Sequence, residues 1–260
     1  MNEVELINIY KTVIGTAAEP VICKGSDGKR YYTKFYEGVE GPRELVNEFI
    51  AYRLAKLLRL PIPNAALLNI TKEFSAYIKG ESVLINPGRF AFGSEEITNV
   101  MSIMNENFFR ECSNQNDLLP IIIFDRIIAN TDREYNYANM LYRYRDKVIF
   151  IIDHGRIFDV GTLWDHNTCY QRLDEDVRLE LMNEDSLYFK IISSINIHKY
   201  IDNCEKRFES ISYYDIKQIF DEIPECWECS IEDRVAGAKF LWKRFSEYKN
   251  IIKDILNLGR

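Results

Sequence analysis

Asn130-Thr131-Asp132-Arg133, Asn139 and Asp153-His154-Gly155 bring two amides and two carboxylates into one short stretch of a 260-residue chain. Between the last two groups lie the apolar runs Met140–Tyr144 and Val148–Ile152, with Arg145, Asp146 and Lys147 as turn residues, the pattern of a β-hairpin. With Asp146 at the centre of the turn, Asn139 and Asp153 are equidistant from it. An antiparallel ladder sets such residues side by side, roughly 5 Å apart at Cα. An Asn beside an Asp is an oxygen-donor pair suited to Mg²⁺. Asn136 competes for the same role, but sits three residues further from Asp153, roughly 10 Å of extended chain. Asp132, in a loop after an apolar helix, is a carboxylate able to accept the proton of a substrate hydroxyl during phosphoryl transfer. Its plainer alternative is an N-cap or Asx-turn residue. Arg133 can orient that loop or offset its charge, and His154 suits an orienting hydrogen bond better than acid–base work. His166 is given no role.

Two further polar residues belong to the same chemistry. Lys34 lies mid-strand in Tyr31-Tyr32-Thr33-Lys34-Phe35, on the face shared by Tyr32 and Tyr36. A lysine flanked by aromatic side chains fits phosphate binding, with a snorkelling surface lysine as the alternative. Glu48 lies among Val46, Phe49 and Ile50 on the following helix, where it can meet Lys34 as an ion pair; its alternative is an exposed helix glutamate, with Glu44 as an equally good i,i+4 neighbour. Gly15, in Gly15-Thr16-Ala17-Ala18-Glu19-Pro20, opens a small-residue turn whose backbone N–H groups can cradle phosphate. It is neither a Walker loop nor a complete GxGxxG.

The elements that must hold these residues follow from periodicity and punctuation. Tyr10–Val13 is a short apolar segment; Pro20–Lys24 and Arg30–Tyr36 are strands joined at Ser26-Asp27-Gly28. Pro42 marks a helix start, and Leu45, Val46, Phe49, Ile50, Leu54, Leu57 and Leu58 give that helix one buried stripe. Pro61 and Pro63 stop it and begin an extended stretch through Ile70, followed by a strand at Phe74–Ile78. Gly80–Gly93 reads as loop, with a lobe junction near its start. Leu118–Ala129 is an apolar helix. From about Asp174 the chain is helical, with clear periods over Ser212–Phe220 and Arg234–Leu256. There is no internal repeat and no low-complexity run.

Composition narrows the function classes. A formal net charge of −7 argues against general nucleic-acid binding. No segment is apolar and long enough to cross a membrane, and Met-Asn-Glu-Val-Glu-Leu is no secretory signal, so a cytoplasmic location is expected. Of six cysteines, Cys226 and Cys229 form a lone CxxC, short of a zinc site. Reduced, partly buried thiols are expected.

With these residues in order, the chain resembles the HipA-like kinases, in particular their short single-domain bacterial branch. The resemblance rests on Gly15 to Pro20, Asp27-Gly28 with Tyr32 to Phe35, and Gly41-Pro42-Arg43-Glu44-Leu45-Val46-Asn47-Glu48. It continues through Leu60-Pro61-Ile62-Pro63, Asn130-Thr131-Asp132-Arg133, Asn139-Met140-Leu141, Ile151-Ile152-Asp153-His154-Gly155 and Ile223-Pro224 before Trp227. It implies an α+β, two-lobed protein-kinase-like fold, with a small β-rich N-lobe over 1–80 and a larger, mainly helical C-lobe over 81–260. It implies ATP with Mg²⁺ and transfer of the γ-phosphate to a Ser or Thr hydroxyl on a protein substrate whose identity is open. By the same resemblance Asp132 is the catalytic Asp, Asn139 and Asp153 are the metal ligands, and Lys34 with Glu48 is the phosphate-binding pair. Two departures accompany it. Longer HipA proteins carry an extra N-terminal subdomain, so the toxin role and the DNA-binding antitoxin are not carried over. Glu134 stands where relatives often have His or Thr, and a carboxylate there can alter metal number or substrate choice. The alternatives to an active kinase are a nucleotide-binding pseudokinase, supported by the incomplete Gly loop, and an enzyme that transfers AMP.

Overall fold

A computed structural model describes residues 1–13, 19–74, 85–175, 177 and 184–258. It is an α+β molecule with a β-rich N-terminal lobe and a mainly helical C-terminal lobe. Strands β1 (Asn2–Thr12), β2 (Val21–Gly25), β3 (Arg30–Lys34), β4 (Ala65–Asn69) and β5 (Phe90–Glu95) form a closed barrel in the order β1-β2-β3-β5-β4. All its pairings are antiparallel except β1 with β4, which run parallel and complete the ring. Alternation decides which side chains fill it. Val4, Leu6, Tyr31, Ala66 and Leu68 are buried there, whereas Tyr32 on β3 faces outward.

Three sequence expectations change in this lobe. The first strand begins at Asn2, well before Tyr10, because Val4 and Leu6 alternate inward against the charged Glu3 and Glu5. The expected loop to Gly93 gives way to β5, whose pairing with β3 and β4 carries the barrel past the division expected at residue 80. Residues 72–74 are helical, and the rest of the strand expected at Phe74–Ile78 lies outside the described residues.

The helix Pro42–Leu57 has proline at its first turn, where a missing N–H costs nothing. It is buried on more than the single stripe expected of it: Glu44, Asn47 and Glu48 are as enclosed as Leu45, Val46 and Phe49. The cause is its position between the two lobes. Tyr52 meets Phe92 of β5 edge-on with ring centroids 6.3 Å apart, and Phe49 meets Trp227 of the C-terminal lobe at 5.9 Å.

The C-terminal lobe opens with β6 (Val100–Ser102), which pairs with β7 (Met140–Arg143) and through it with β8 (Val148–Ile151). The helix Leu118–Ile127 lies beneath, nearly every residue buried, and the helices Ile201–Glu209, Tyr213–Asp221, Ile231–Ser246 and Tyr248–Leu258 complete the body. The β7–β8 hairpin differs from expectation by one residue. Met140 pairs with Ile151 and Arg143 with Val148, and the turn takes in Tyr144 as well as Arg145, Asp146 and Lys147. Asn139 therefore stands opposite Ile152, whose N–H donates to the Asn139 carbonyl at 3.1 Å, and Asp153 lies one position beyond. The fourth turn residue is accommodated because Lys147 adopts the left-handed conformation, with φ at 58°.

No helix among the described residues is long and apolar enough to cross a membrane. The six cysteines are free thiols. Burial pushes the thiols of Cys23, Cys112, Cys169 and Cys204 up to about 12, so they pack as small apolar groups. Among the described residues no three His, Cys, Asp or Glu side chains gather as a metal cage.

Candidate active site

A cavity of about 360 Å³ lies between the barrel and the three-stranded sheet. Tyr52, Ile62, Phe92, Leu141 and Ile152 give it apolar walls, and Lys34, Glu48, Asn139 and Asp153 add polar groups. That size and mixture suit a small organic ligand held by a few fixed charges. Gly15 lies outside the described residues.

Strand alternation turns Lys34 out of the barrel core and into this cavity. Its Nζ donates to Glu48 Oε1 at 2.6 Å and to Asp153 Oδ1 at 2.9 Å, and lies 2.8 Å from Glu44 Oε1. Lys34 thus joins β3, the helix Pro42–Leu57 and the segment after β8. Glu44 is one helical turn before Glu48 on the same face, which brings both carboxylates to one ammonium. Sequence reasoning treated Glu44 only as a neighbour of Glu48, because helical spacing says nothing of how closely β3 approaches.

One cation facing three carboxylates leaves excess negative charge in a dry place. Burial by itself disfavours the Lys34 ammonium, but Glu48, Asp153 and Glu44 together hold its pKa well above the usual lysine value. Burial pushes the Glu44 carboxyl up to about 7 despite Lys34, and Glu48 and Asp153 push it the same way. Burial also raises Glu48. Asp153, the outermost of the three with its side chain 43% exposed, is pushed up by desolvation but held at about 2 by the Lys34 charge and hydrogen bond.

Asp132 opens a one-turn helix, Asp132–Tyr135, in place of the expected loop. Its Oδ2 accepts from Asn139 Nδ2 at 2.5 Å and more weakly from Asn136 Nδ2 at 3.5 Å. Asn136 spends its own oxygen on the Ala138 N–H, capping the turn that carries Asn139. Of the two asparagines, Asn139 faces the cavity with Asp153. Asp153 reaches it through a left-handed backbone, φ 57°, a conformation Asp tolerates better than most residues. The next residues show why this segment reads Asp-His-Gly. A Cβ on Gly155 would lie 2.8 Å from Glu44 Oε1 and 3.2 Å from Lys34 Nζ, so any other residue must push Glu44 aside.

Beneath these groups lies a buried polar layer. Arg133, fully enclosed, donates from Nη1 to the carbonyls of Asn139 at 2.5 Å and Ile152 at 2.9 Å, and from Nη2 to His154 Nε2 at 2.6 Å. A guanidinium can only donate, so Nε2 carries the lone pair and His154 is the neutral Nδ1–H tautomer. Burial, and then the Arg133 charge, hold its pKa well below the usual histidine value. Its backbone N–H donates to Glu48 Oε1 at 3.1 Å. Asn47 ties the other side, donating to the carbonyls of Gly155 at 2.7 Å and Gly161 at 3.0 Å while accepting from Trp164 Nε1 at 2.7 Å. Glu134 does not face the cavity: it accepts from Arg126 at 2.8 Å and Ser186 Oγ at 2.9 Å, so its carboxylate is not placed to change a metal site. The buried Asn47 and Asp125 were missed by sequence reasoning, although Asp125 is a polar residue inside an apolar helical run.

The donors available to a cation are an amide oxygen and a carboxylate on adjoining segments, with Asp132 beside the amide. Oxygen donors of this kind fit Mg²⁺, which is held through one or two carboxylates together with substrate phosphates more often than by an all-protein cage.

The family model described as HipA-like kinase matches residues 6–253. No curated protein matches the chain. Among solved structures, the proinflammatory kinase CtkA of Helicobacter pylori is similar over 97% of this chain and 95% of its own, at 15% identity and a TM-score of 0.56, a likeness of fold. The Golgi casein kinase covers 99% of this chain and 72% of its own at 14% identity and a TM-score of 0.48. The same kinase with Mn and ADP bound gives 13% identity and a TM-score of 0.47 over 99% and 73% of the two chains.

Proposed function

The chain belongs to the HipA-like kinase family, and from that premise we propose that it is an ATP- and Mg²⁺-dependent kinase that phosphorylates a Ser or Thr hydroxyl on a protein. The observation that carries this reading is Lys34, bonded at once to Glu48 and Asp153 in the wall of a cavity that also holds Asn139, itself bonded to Asp132. In this reading the apolar walls receive the nucleotide base, and Lys34, steadied by Glu48, reaches the phosphates. Asn139 and Asp153 would hold Mg²⁺. Bound Mg²⁺ supplies charge neutralisation and alignment of the phosphate oxygens. Asp132 takes the proton of the acceptor hydroxyl as its oxygen bonds to the γ-phosphorus, and the bond from that phosphorus to the β-bridging oxygen breaks. The hydrogen bond from Asn139 is made at Oδ2 of Asp132, so in this reading Oδ1 takes that proton.

The test is ATP consumption by the wild-type protein and by Asp132→Ala, with mass analysis of the modified acceptor. A fall of about 10²–10⁴ in turnover is expected for the variant, with the acceptor gaining phosphate. Equal background rates in both proteins, or an acceptor that gains AMP, would overturn the reading.

A further inference from the structure

Asp125 is the one carboxylate in the apolar helix Leu118–Ile127, and it is sealed from solvent. A lone buried carboxylate is costly unless its oxygens are hydrogen-bonded, and here both are: Oδ2 accepts from Arg133 Nε at 2.8 Å and from Tyr188 OH at 2.9 Å, and Oδ1 from Asn130 Nδ2 at 3.1 Å. What Arg133 then does with its other nitrogens is specific. It bonds the carbonyl of Asn139 itself, the carbonyl of the residue before Asp153, and the imidazole of the residue after it. Arg133 also adjoins Asp132 in the chain. A single guanidinium thereby braces the backbone at Asn139 and just before Asp153, from the residue next to Asp132, and Asp125 fixes the guanidinium.

We infer that Asp125 is a positioning residue for the metal and nucleotide site, acting through Arg133 to set the separation and aim of Asn139 and Asp153. The inference rests on the kinase reading above. Positioning differs from structural stabilisation: loosening the outer layer around metal ligands weakens metal binding even where the protein stays folded, typically by about 10–100-fold. A buried salt bridge that only stabilises would lower the melting temperature and leave the Mg²⁺ requirement alone.

The experiment titrates Mg²⁺ against binding of a fluorescent ATP analogue, for the wild type, Asp125→Asn and Tyr188→Phe, with thermal melts in parallel. Asp125→Asn keeps the shape and removes the charge. Tyr188→Phe removes one hydrogen bond to the same oxygen and keeps the ion pair, so it serves if the first variant does not fold. The expected result is a rise of about tenfold or more in half-saturating Mg²⁺ for Asp125→Asn and a smaller rise for Tyr188→Phe, with Mg²⁺-independent analogue binding unchanged. Melting temperatures that fall while half-saturating Mg²⁺ stays fixed would overturn the inference and leave the kinase reading standing. If Asp125→Asn is unfolded, an unmoved half-saturation in Tyr188→Phe has the same consequence. Wild-type protein whose analogue binding ignores Mg²⁺ would instead sink the kinase reading, and this inference with it.

Discussion

Lys34 and its three carboxylates make opposite predictions for lysine and glutamate substitutions. Lys34→Met leaves Glu44 and Glu48 enclosed without their cation, and removing one side of a buried pair costs about 3–5 kcal/mol. Such a variant is expected to lose stability as well as nucleotide binding, measurable by urea denaturation. Glu44→Gln removes one surplus negative charge and is expected to stabilise the protein at neutral pH. The pH dependence follows from the same group. The folded Glu44 carboxyl, at about 7, binds a proton over a range where the unfolded one, near 4.5, has released it. The native state then holds more protons, so Glu44's contribution is fully present below the unfolded value and is lost as pH rises through about 7. Melting curves between those two pH values should show a decline that Glu44→Gln flattens; an unchanged profile would remove Glu44 from the account. At this scale the sequence was informative because Lys34, Glu48, Asp132, Asn139 and Asp153 are polar residues at odds with apolar or turn surroundings. Asn47 was less legible because its partners, Gly155, Gly161 and Trp164, come from a distant segment, whereas Glu44 and Asp125 have partners close in sequence whose approach depends on how strand, helix and loop pack.

Elements carry the precision that residue types lack. The hairpin was readable from two apolar runs, but its register was not. A turn of four residues in place of three moves each partner by one, and only the left-handed Lys147 marks the difference. Asp153 still reaches the cavity because its own left-handed backbone re-aims the side chain after β8 ends. At Gly155 the segment after β8 passes against Glu44 of the helix Pro42–Leu57 and Lys34 of β3, and Gly155→Ala tests that convergence. The added methyl would have to displace Glu44 or Lys34, both enclosed. A cost of about 1–3 kcal/mol in urea stability is expected, together with weaker nucleotide binding. A variant with wild-type values for both would mean that the segment can shift without disturbing Lys34. The first strand shows the other kind of limit. Its alternation from Val4 to Leu6 was present to be read, but Glu3, Glu5 and Asn8 made the run look polar, and its inward residues gain meaning only once a barrel exists to receive them.

In the whole molecule, the helix Pro42–Leu57 belongs to both lobes. Arg43 donates to Asp233 at 2.8 Å and lies over the Trp164 ring at 4.3 Å, while Arg53 pairs with Glu222. Trp227 adds a direct link, donating to the carbonyl of Phe90 in β5 at 2.7 Å. The lobe boundary was hard to read because sequence order and spatial order part company here: β5, last of the five in sequence, sits between β3 and β4 in the ring. A ligand seated between lobes so joined stabilises the molecule as one unit. Mg²⁺ with an ATP analogue at a hundredfold excess over its Kd is worth about 2.7 kcal/mol, and should raise the melting temperature by about 5–10 °C. The same analogue with a chelator present should give much less, and equal shifts would argue against a metal held by Asn139 and Asp153. The parallel contact of β1 with β4 has one more consequence. A ring of strands has no first or last member, so a neighbouring chain finds no row of unpaired amides onto which it can zip. Misassembly through this half must wait for a strand to peel away, and its pace in concentrated solution is set by local opening, not by collision.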